Sequence, residues 1–520
     1  MSDYRFERNA AGRLVPTRVG GRKLIPYKGI GAHRPAGRKH APPIPTCAAH
    51  PADGNKVVRD LRTALELCGL RDGMTLSTHH HFRNGDLVAN MLFDAAAEMG
   101  MRDLVWFPSA SFPCHEPVLK HLDSGVLNRV EGSLNGPLGE YASRGRMKGL
   151  GVLRSHGGRV RAINDGDVHI DIAVIAAPSA DGFGNANGVN GPSACGPLGY
   201  AAADSQHADK VIVVTDNLVR FPCAPIHIPG NLVDHVVVVP KIGEPDRIAS
   251  GTTKLTLDPE RLGIAEMTAR FVKEAGLLHD GFLFQAGAGG ISLAFAKYLG
   301  EIIKKEGVKA AAMGGGSTSH LVEMLDDGIA EYLMDGQAFD VKAIESLRDN
   351  PKHFPVTPDM FYNYHSKGMM ASMFDVMVLG ATEVDVNFNA NVVTHSDGKL
   401  LHGIGGWQNS LFAKCTILSL PSRRDRFPML VDEVTTLVGP GELVDAVVTE
   451  RGIAINPVRK DLAEAAANAG LPVRPIGEIK REVEDLLGGK PAKPRFTDRP
   501  VAVVEWVDGT ILDTVWELAG

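Results

Sequence analysis

Short apolar runs punctuated by glycine, asparagine and aspartate recur along the chain from about residue 51 onward. Ile172 to Ala177 and Val236 to Val239 have the length and β-branched content of buried strands. Other segments, such as Ile291 to Leu299, carry apolar residues at helical spacing. Strand alternating with helix predicts an α/β protein with open, mostly parallel sheets, its ligand loops at the carboxyl ends of the strands. The first fifty residues break this pattern: Arg5, Arg8, Arg13, Arg18, Arg22, Lys23, Lys28, Arg34, Arg38 and Lys39 stand among Gly and Pro with little periodicity. Residues 1–50 therefore read as a basic extended arm, a strap across the protein's own body or a partner subunit.

The pattern also repeats. The segment Asp171 to Asn187 aligns with Asp375 to Asn391, and within it Asp171, Asp181, Asn185 and Asn187 match Asp375, Asp385, Asn389 and Asn391 at an offset of 204. Leu70-Arg-Asp-Gly73 matches Leu278-His-Asp-Gly281 at an offset of 208, and Gly100 and Gly307 open the next strands at an offset of 207. Two similar halves follow, 51–265 and 266–520, joined near residues 250 to 275. Packed face to face, their equivalent loops would share one cleft.

Composition narrows the classes. With 55 basic and 61 acidic residues the net charge is -6, so no global field attracts nucleic acid. No apolar run approaches the roughly 18 residues needed to cross a bilayer, and no signal sequence opens the chain; a soluble cytoplasmic protein is expected. Cys47, Cys68, Cys114, Cys195, Cys223 and Cys415 form no CxxC pair, which fits reduced thiols rather than bridges or zinc.

Three glycine clusters in the second half are candidate chemistry. Ala286-Gly287-Ala288-Gly289-Gly290 follows a strand and opens a helix; Gly314-Gly315-Gly316-Ser317 and Gly403-Ile404-Gly405-Gly406 follow others. Such loops let backbone N–H groups approach an anion, including the oxyanion a thioester carbonyl becomes under attack. They lack the spacing of a dinucleotide site or a P-loop. In the first half the equivalent loop is Thr78-His79-His80-His81-Phe82-Arg83-Asn84-Gly85-Asp86. Adjacent histidines in an extended loop point in alternating directions, so zinc is not expected; Arg83 with one histidine makes a better carboxylate site. Arg154-Ser-His156-Gly157-Gly158-Arg159 presents a second cationic loop. The asparagines of 181–188 and 385–391 read first as turn formers. His395 and Asp397 offer proton transfer only as a secondary reading.

Several of these segments together resemble the citrate lyase alpha subunit family of the CoA-transferase superfamily. The likeness runs from about Asn55 to Val515 and rests on Leu-Arg-Asp-Gly-Met at 70 to 74, His-His-x-Phe-Arg-x-Gly-Asp at 79 to 86, Ser-His-Gly-Gly-Arg-Val at 155 to 160, Asp-Gly-Phe-Gly-Asn-Ala-Asn-Gly at 181 to 188, Gly-Ala-Gly-Gly at 287 to 290, Ser-Asp-Gly at 396 to 398 and Gly-Ile-Ala-Ile-Asn-Pro at 452 to 457. The resemblance implies two CoA-transferase-type halves and exchange of acetyl for citryl on the thiol of an acyl carrier. It implies a phosphoribosyl-dephospho-CoA arm on a separate gamma subunit, a beta subunit that cleaves the citryl thioester, and a homo-oligomer within a larger complex. No cofactor is expected to be bound covalently to this chain.

The resemblance assigns Gly289, Gly290, Gly405 and Gly406 to oxyanion stabilisation. Arg83, His80, His156, Arg159 and Asn187 fall to the acid, and Gly287, Gly289, Gly315, Gly316, Ser317 and Gly403 to the thioester and its carrier. Related CoA transferases use a glutamate nucleophile where this chain reads Gly315-Gly316-Ser317-Thr318-Ser319-His320, with no carboxylate before Glu323. A direct exchange without a glutamyl thioester is therefore expected. Trp407-Gln408-Asn409 and His395 depart from the family pattern, which leaves citramalate or another acid as alternatives. A stand-alone CoA transferase, the malonate decarboxylase alpha subunit and a carrier-docking scaffold are the competing readings.

Overall fold

In a computed structural model of the protein, the described residues are 4–33, 54–248, 255–287, 289–490 and 492–519. Arg34, Arg38, Lys39, Cys47 and Ala288 lie outside them. Two large, mostly parallel sheets carry the repeat. In the first, Thr75–Thr78 lies between Leu104–Pro108 and Ile172–Ala176; in the second, Leu283–Ala286 lies between Ala310–Ser317 and Val376–Leu379. The next strands match as well: Leu127–Gly132 and Gly151–Leu153 correspond to Ala330–Ala338 and His353–Pro355, and Lys210–Thr215 and His235–Val238 to Thr416–Ser419 and Ala446–Thr449. Each central strand is buried on both faces, which is why it reads as a run and not as an alternation.

The repeated acids have repeated structural tasks. Asp171 Oδ2 accepts the Thr75 amide at 2.7 Å, and Asp375 Oδ2 accepts the Leu283 amide at 2.8 Å, each tying the start of one central strand to its neighbour. Asp181 Oδ1 accepts the amides of Phe183, Gly184 and Asn185, and Asp385 Oδ1 those of Asn387 and Asn389, closing the same turn twice.

Three features of the structure bear on the domain limits. First, position 265/266 falls inside one helix, Pro259–Glu274, which starts at the Asp258 cap with Pro259 in its first turn. Thr268 Oγ1 lies 2.9 Å from Ser419 Oγ, so this helix packs on the second sheet. Second, the chain end leaves the second half: Phe496–Glu505 pairs in parallel with Gly151–Leu153, and Thr510–Leu518 completes a hairpin on the edge of the first sheet. Third, the described part of the arm is folded as a strap on that edge. Ile25–Pro26 pairs with Thr510–Leu518, and Val15, Val19 and Leu24 bury themselves against Leu150, Val152, Val503 and Ile511.

Glu131 ties these parts together. It accepts Arg22 of the arm at 3.1 Å, Arg129 at 2.9 Å and Arg154 at 3.0 Å. Burial alone would raise its pKa, but Arg154, Arg22 and Arg129 outweigh burial and hold it at about 2. The stability it contributes is complete above the carboxylate's ordinary pKa near 4.5 and is lost as pH falls through about 2. Glu131→Gln should therefore lower stability at neutral pH by about 3 kcal/mol or more, because three buried or half-buried arginines lose a partner, and should flatten the acid limb of stability. Urea unfolding of both proteins at several pH values below 5 checks this; parallel acid limbs would refute it.

Among the described residues no helix is long and apolar enough to cross a membrane, and Cys68, Cys114, Cys195, Cys223 and Cys415 are free thiols.

Candidate functional site

Loops from both halves converge on one cavity of about 700 Å³. The halves are stitched across it. His80 Nε2 lies 3.1 Å from Gln337 Oε1, the His156 amide donates to Gly405 O at 2.8 Å, and the Gly157 amide donates to Asn409 Oδ1 at 3.1 Å.

The second half supplies backbone. Gly287 and Gly289 follow the strand Leu283–Ala286 and line the cavity; Gly290 opens the helix Gly290–Glu306 behind them and does not line it. No side chain caps that helix, so its first amides remain available to an anion. Gly315 and Gly316 line the wall from within the strand Ala310–Ser317, where its register shifts. Gly315 has φ of 102°, and a Cβ on Gly316 would meet the Phe339 ring at 2.1 Å. Gly403, Gly405 and Gly406 form the third wall, ahead of the short helix Trp407–Ser410; a Cβ on Gly406 would meet the Tyr362 hydroxyl at 2.7 Å. Glycine is needed here to let the chain pass this close.

The first half supplies side chains. Arg83 is buried with φ of 50°, its guanidinium 4.5 Å from the centre of the Phe339 ring and 5.4 Å from that of Phe112. It has no carboxylate partner among the described residues, and its Nε is buried without a hydrogen bond. Burial lowers its pKa to about 10, so it stays cationic at neutral pH. An unpaired guanidinium in a cavity wall, held in a disfavoured backbone conformation, is poised for an anionic ligand. His80 Nδ1 lies 2.6 Å from Ser109 Oγ; its ring stacks with that of His156, 5.0 Å away, and meets that of Tyr200, 4.4 Å away, at a tilt. Burial, then the neighbouring cationic groups, keep His80 well below the usual imidazole range; burial, then Arg159, bring His156 to about 3. Both are neutral donors or acceptors, leaving Arg83 as the charge of the inner wall. Among the described residues no Asp or Glu lines the cavity. Glu323 lies in the helix Ser319–Asp326, exposed and 3.0 Å from Lys342.

Four expected site residues lie elsewhere. Arg159 is buried outside the cavity, bound in bidentate fashion to Asp204 at 2.6 and 2.8 Å and stacked over Phe107. Burial opposes ionisation of Asp204, but Arg159 and then His79 outweigh it and hold this carboxyl well below the usual range. Asn187 is buried in its turn, accepting the amides of Val189 and Asn190. Ser317 Oγ donates to Asp335 at 2.6 Å, and Gly290 stands one residue behind the wall. Arg154 is likewise structural, bound to Glu131 and Glu505 at 3.0 Å each. The three histidines diverge: His79 turns to Asp204, His80 to the cavity, and His81 stacks on His79.

The structure adds residues that the motifs did not single out. Gln285 Nε2 donates to the Tyr362 hydroxyl at 3.1 Å, and both line the cavity with Gln337, Tyr200 and His402. Gln285 had one legible signal, a polar residue at the carboxyl end of an apolar strand. Trp407 lines the wall and donates its indole N–H to Gly380 O at 2.8 Å, while the buried Gln408 and Asn409 donate their side-chain amides to Val438 O and Tyr362 O, and Gln408 Oε1 has no hydrogen-bond partner among the described residues.

Comparison with known proteins agrees with this architecture. The family described as citrate lyase, alpha subunit matches residues 54–518. The citrate lyase alpha chain of Haemophilus influenzae is 40% identical over 469 residues, covering 90% of this chain and 94% of the relative. A crystal structure of the citrate lyase alpha subunit of Streptococcus mutans, in complex with citrate, superposes with a TM-score of 0.91 at 39% identity, covering 98% of this chain and 100% of that one. A Pseudomonas malonate decarboxylase hetero-tetramer in complex with malonate superposes over 84% of this chain and 89% of its own at a TM-score of 0.62 and 18% identity, a likeness of fold alone. On the matched length and identity, the chain belongs to the citrate lyase alpha subunit family, the citrate CoA-transferase subunits.

Proposed function

We propose that the chain exchanges acetyl for citryl on the thiol of a phosphoribosyl-dephospho-CoA arm carried by a separate subunit, within one ternary complex. The observation that carries this reading is the division of the cavity wall among the described residues: three glycine loops, one buried arginine without a carboxylate partner, and no carboxylate. A carboxylate oxygen of citrate attacks the acetyl thioester carbonyl, whose electron pair moves onto oxygen and is met by the amides of the glycine loops. Collapse breaks the C–S bond, giving a citryl-acetyl mixed anhydride and a thiolate. The thiolate then attacks the citryl carbonyl, the anhydride C–O bond breaks, and acetate leaves. No net proton is gained or lost. Arg83 holds a carboxylate of the acid, and His80 and His156 act as neutral hydrogen-bonding partners. Holding both reactants in one cavity supplies an effective concentration of order 10⁵ M or more.

This reading places the chain beside a beta subunit that cleaves the citryl thioester and a gamma subunit that bears the arm, with more than one copy of the chain in the assembly. The crystal structure of the Streptococcus mutans relative contains citrate, which supports a tricarboxylate as the acid. Acetate release from acetyl-CoA by the purified chain, with and without citrate, tests it while mass spectrometry follows the thioester. Citrate-dependent acetate with citryl-CoA is expected, with citramalate and malonate slower. The exposed, Lys342-paired Glu323 should carry no thioester adduct at any stage. Trapping an acyl group on Glu323, or on another carboxylate, would replace this mechanism with a covalent one; acetate formation indifferent to the acid would remove citrate as acceptor.

A further inference from the structure

Beyond the inner wall, basic groups continue outward from the cavity and take no part in the exchange just described. His402 is exposed yet lines the cavity, which places it at the mouth. Its ring lies 5.5 Å from that of His395, and His395 Nε2 lies 3.3 Å from Arg424 Nη1. Arg424 belongs to a small hairpin, Arg423–Arg424 paired with Phe427–Pro428, which also presents Arg426. Partial desolvation, and then the nearby Arg261 guanidinium, make Arg424 less basic than usual. Three carboxylates are close by. Asp258 Oδ1 accepts the Arg261 amide at 3.3 Å, Asp397 lies 3.6 Å from Lys399 Nζ, and Asp425 forms the hairpin tip with φ of 52°. None of them makes an ion pair with the guanidinium of Arg261, Arg424 or Arg426, and these three arginines have no salt-bridge partner among the described residues.

Like charges gathered without counter-ions on a folded surface raise its energy, and an arriving anion lowers it. The position selects the anion. His402 leads directly into Gly403-Ile404-Gly405-Gly406, so a molecule whose reacting carbonyl lies on those amides and whose tail leaves past His402 has that tail beside Arg424. Guanidinium groups match phosphate oxygens in fork geometry. Arg83 inside and the Arg424 cluster outside thus form two separate anion sites on one cavity.

We infer that His395, His402, Arg261 and Arg424 form a docking site for the phosphate groups of a pantetheine-type thioester arm. The inference rests on the transferase reading for the identity of the arm, but its test does not depend on turnover. Calorimetric binding of CoA, and of pantetheine as the phosphate-free probe, is measured on the whole chain and on Arg424→Ala and Arg261→Ala. Arg424 is an exposed hairpin residue, so its removal leaves the fold intact, and circular dichroism verifies this for both variants. Each lost charge-assisted contact should weaken CoA binding by roughly 10-fold to 100-fold while pantetheine binding stays unchanged. Arg424→Lys should recover part of the loss. Equal CoA affinity in wild type and both variants, equal losses for CoA and pantetheine, or no CoA binding by the wild type would each overturn the site. A parallel assay with the acetylated carrier subunit separates the sources. Loss for CoA and carrier alike assigns the site to the arm's phosphates, whereas loss for the carrier alone assigns it to an acidic protein surface and overturns the inference. If acetate release fails while phosphate-dependent CoA binding persists, the transferase mechanism falls and the docking site stands.

Discussion

Replacing Arg83 by Gln should cut kcat/KM for citrate by about two to three orders of magnitude and leave the KM for the acetyl thioester nearly unchanged. Among the described residues the guanidinium is the one unpaired buried charge on the cavity wall, and truncating one partner of a buried, hydrogen-bonded charge pair costs about 2–5 kcal/mol. In the proposed exchange both reacting carbonyls meet the glycine loops of the other half, which line the cavity opposite Arg83, so loss of Arg83 is expected to act on the acid and spare the thioester. Gln keeps an uncharged donor on a shorter side chain and, like Arg, stands at a positive φ, so backbone strain is carried equally by both proteins. Stability of the free protein should hold or rise slightly, because the variant no longer buries an uncompensated cation. Steady-state kinetics with citrate and acetyl-CoA varied in turn decide the matter. An unchanged citrate KM, or equal damage to both substrates, would remove Arg83 from the acid site.

Arg159→Met should do the opposite, leaving the citrate KM within about twofold of wild type while destabilising the fold by about 3–5 kcal/mol. Its guanidinium is bound to Asp204 and to Phe107 O deep in the first half, away from the cavity. Met fills similar volume but strands Asp204 as a buried carboxylate with only His79 beside it. Asp204→Asn should destabilise by a similar amount, and the double variant Arg159→Met/Asp204→Asn by clearly less than the sum of the two singles, since each single change leaves a charge without its partner. Urea denaturation of the three variants measures this. A large rise in citrate KM with unchanged stability would return Arg159 to the substrate.

Arg83 and Arg159 looked alike in the sequence: each is an arginine in a loop or helix start that follows a buried strand, flanked by histidine. What separates them is a carboxylate 45 residues beyond Arg159, on the helix Ala202–His207, and the absence of any such partner for Arg83. Asn187 and Ser317 were misplaced for a related reason. Ser317 follows the cavity-lining Gly316 while Asn187 lies in a turn away from the wall, and in each the short side chain is satisfied locally, by two amides in Asn187 and by Asp335 in Ser317. Most of the clustered glycines do reach the cavity wall, because a glycine cluster after a strand constrains backbone, and backbone geometry is a local property. Of the glycines in the three clusters, Gly290 and Gly314 stand off the wall.

The repeat was the most legible feature of the fold. Its offsets of 204 and 208 reappear as matched strand orders and as pairs of aspartates that accept the same strand-start and turn amides. The return of Phe496–Glu505 and Thr510–Leu518 to the first sheet was not legible, because strand pairing across some 350 residues leaves no mark in local hydrophobic pattern. By itself the sequence determined the two α/β halves, the glycine-lined strand ends and the family, all of which depend on patterns within a few residues or on motif matches. Only the tertiary structure decided which charges are spent on one another and which remain free to meet a ligand. Partner distance sets the energy of a buried charge, and that distance exists only once the chain has folded.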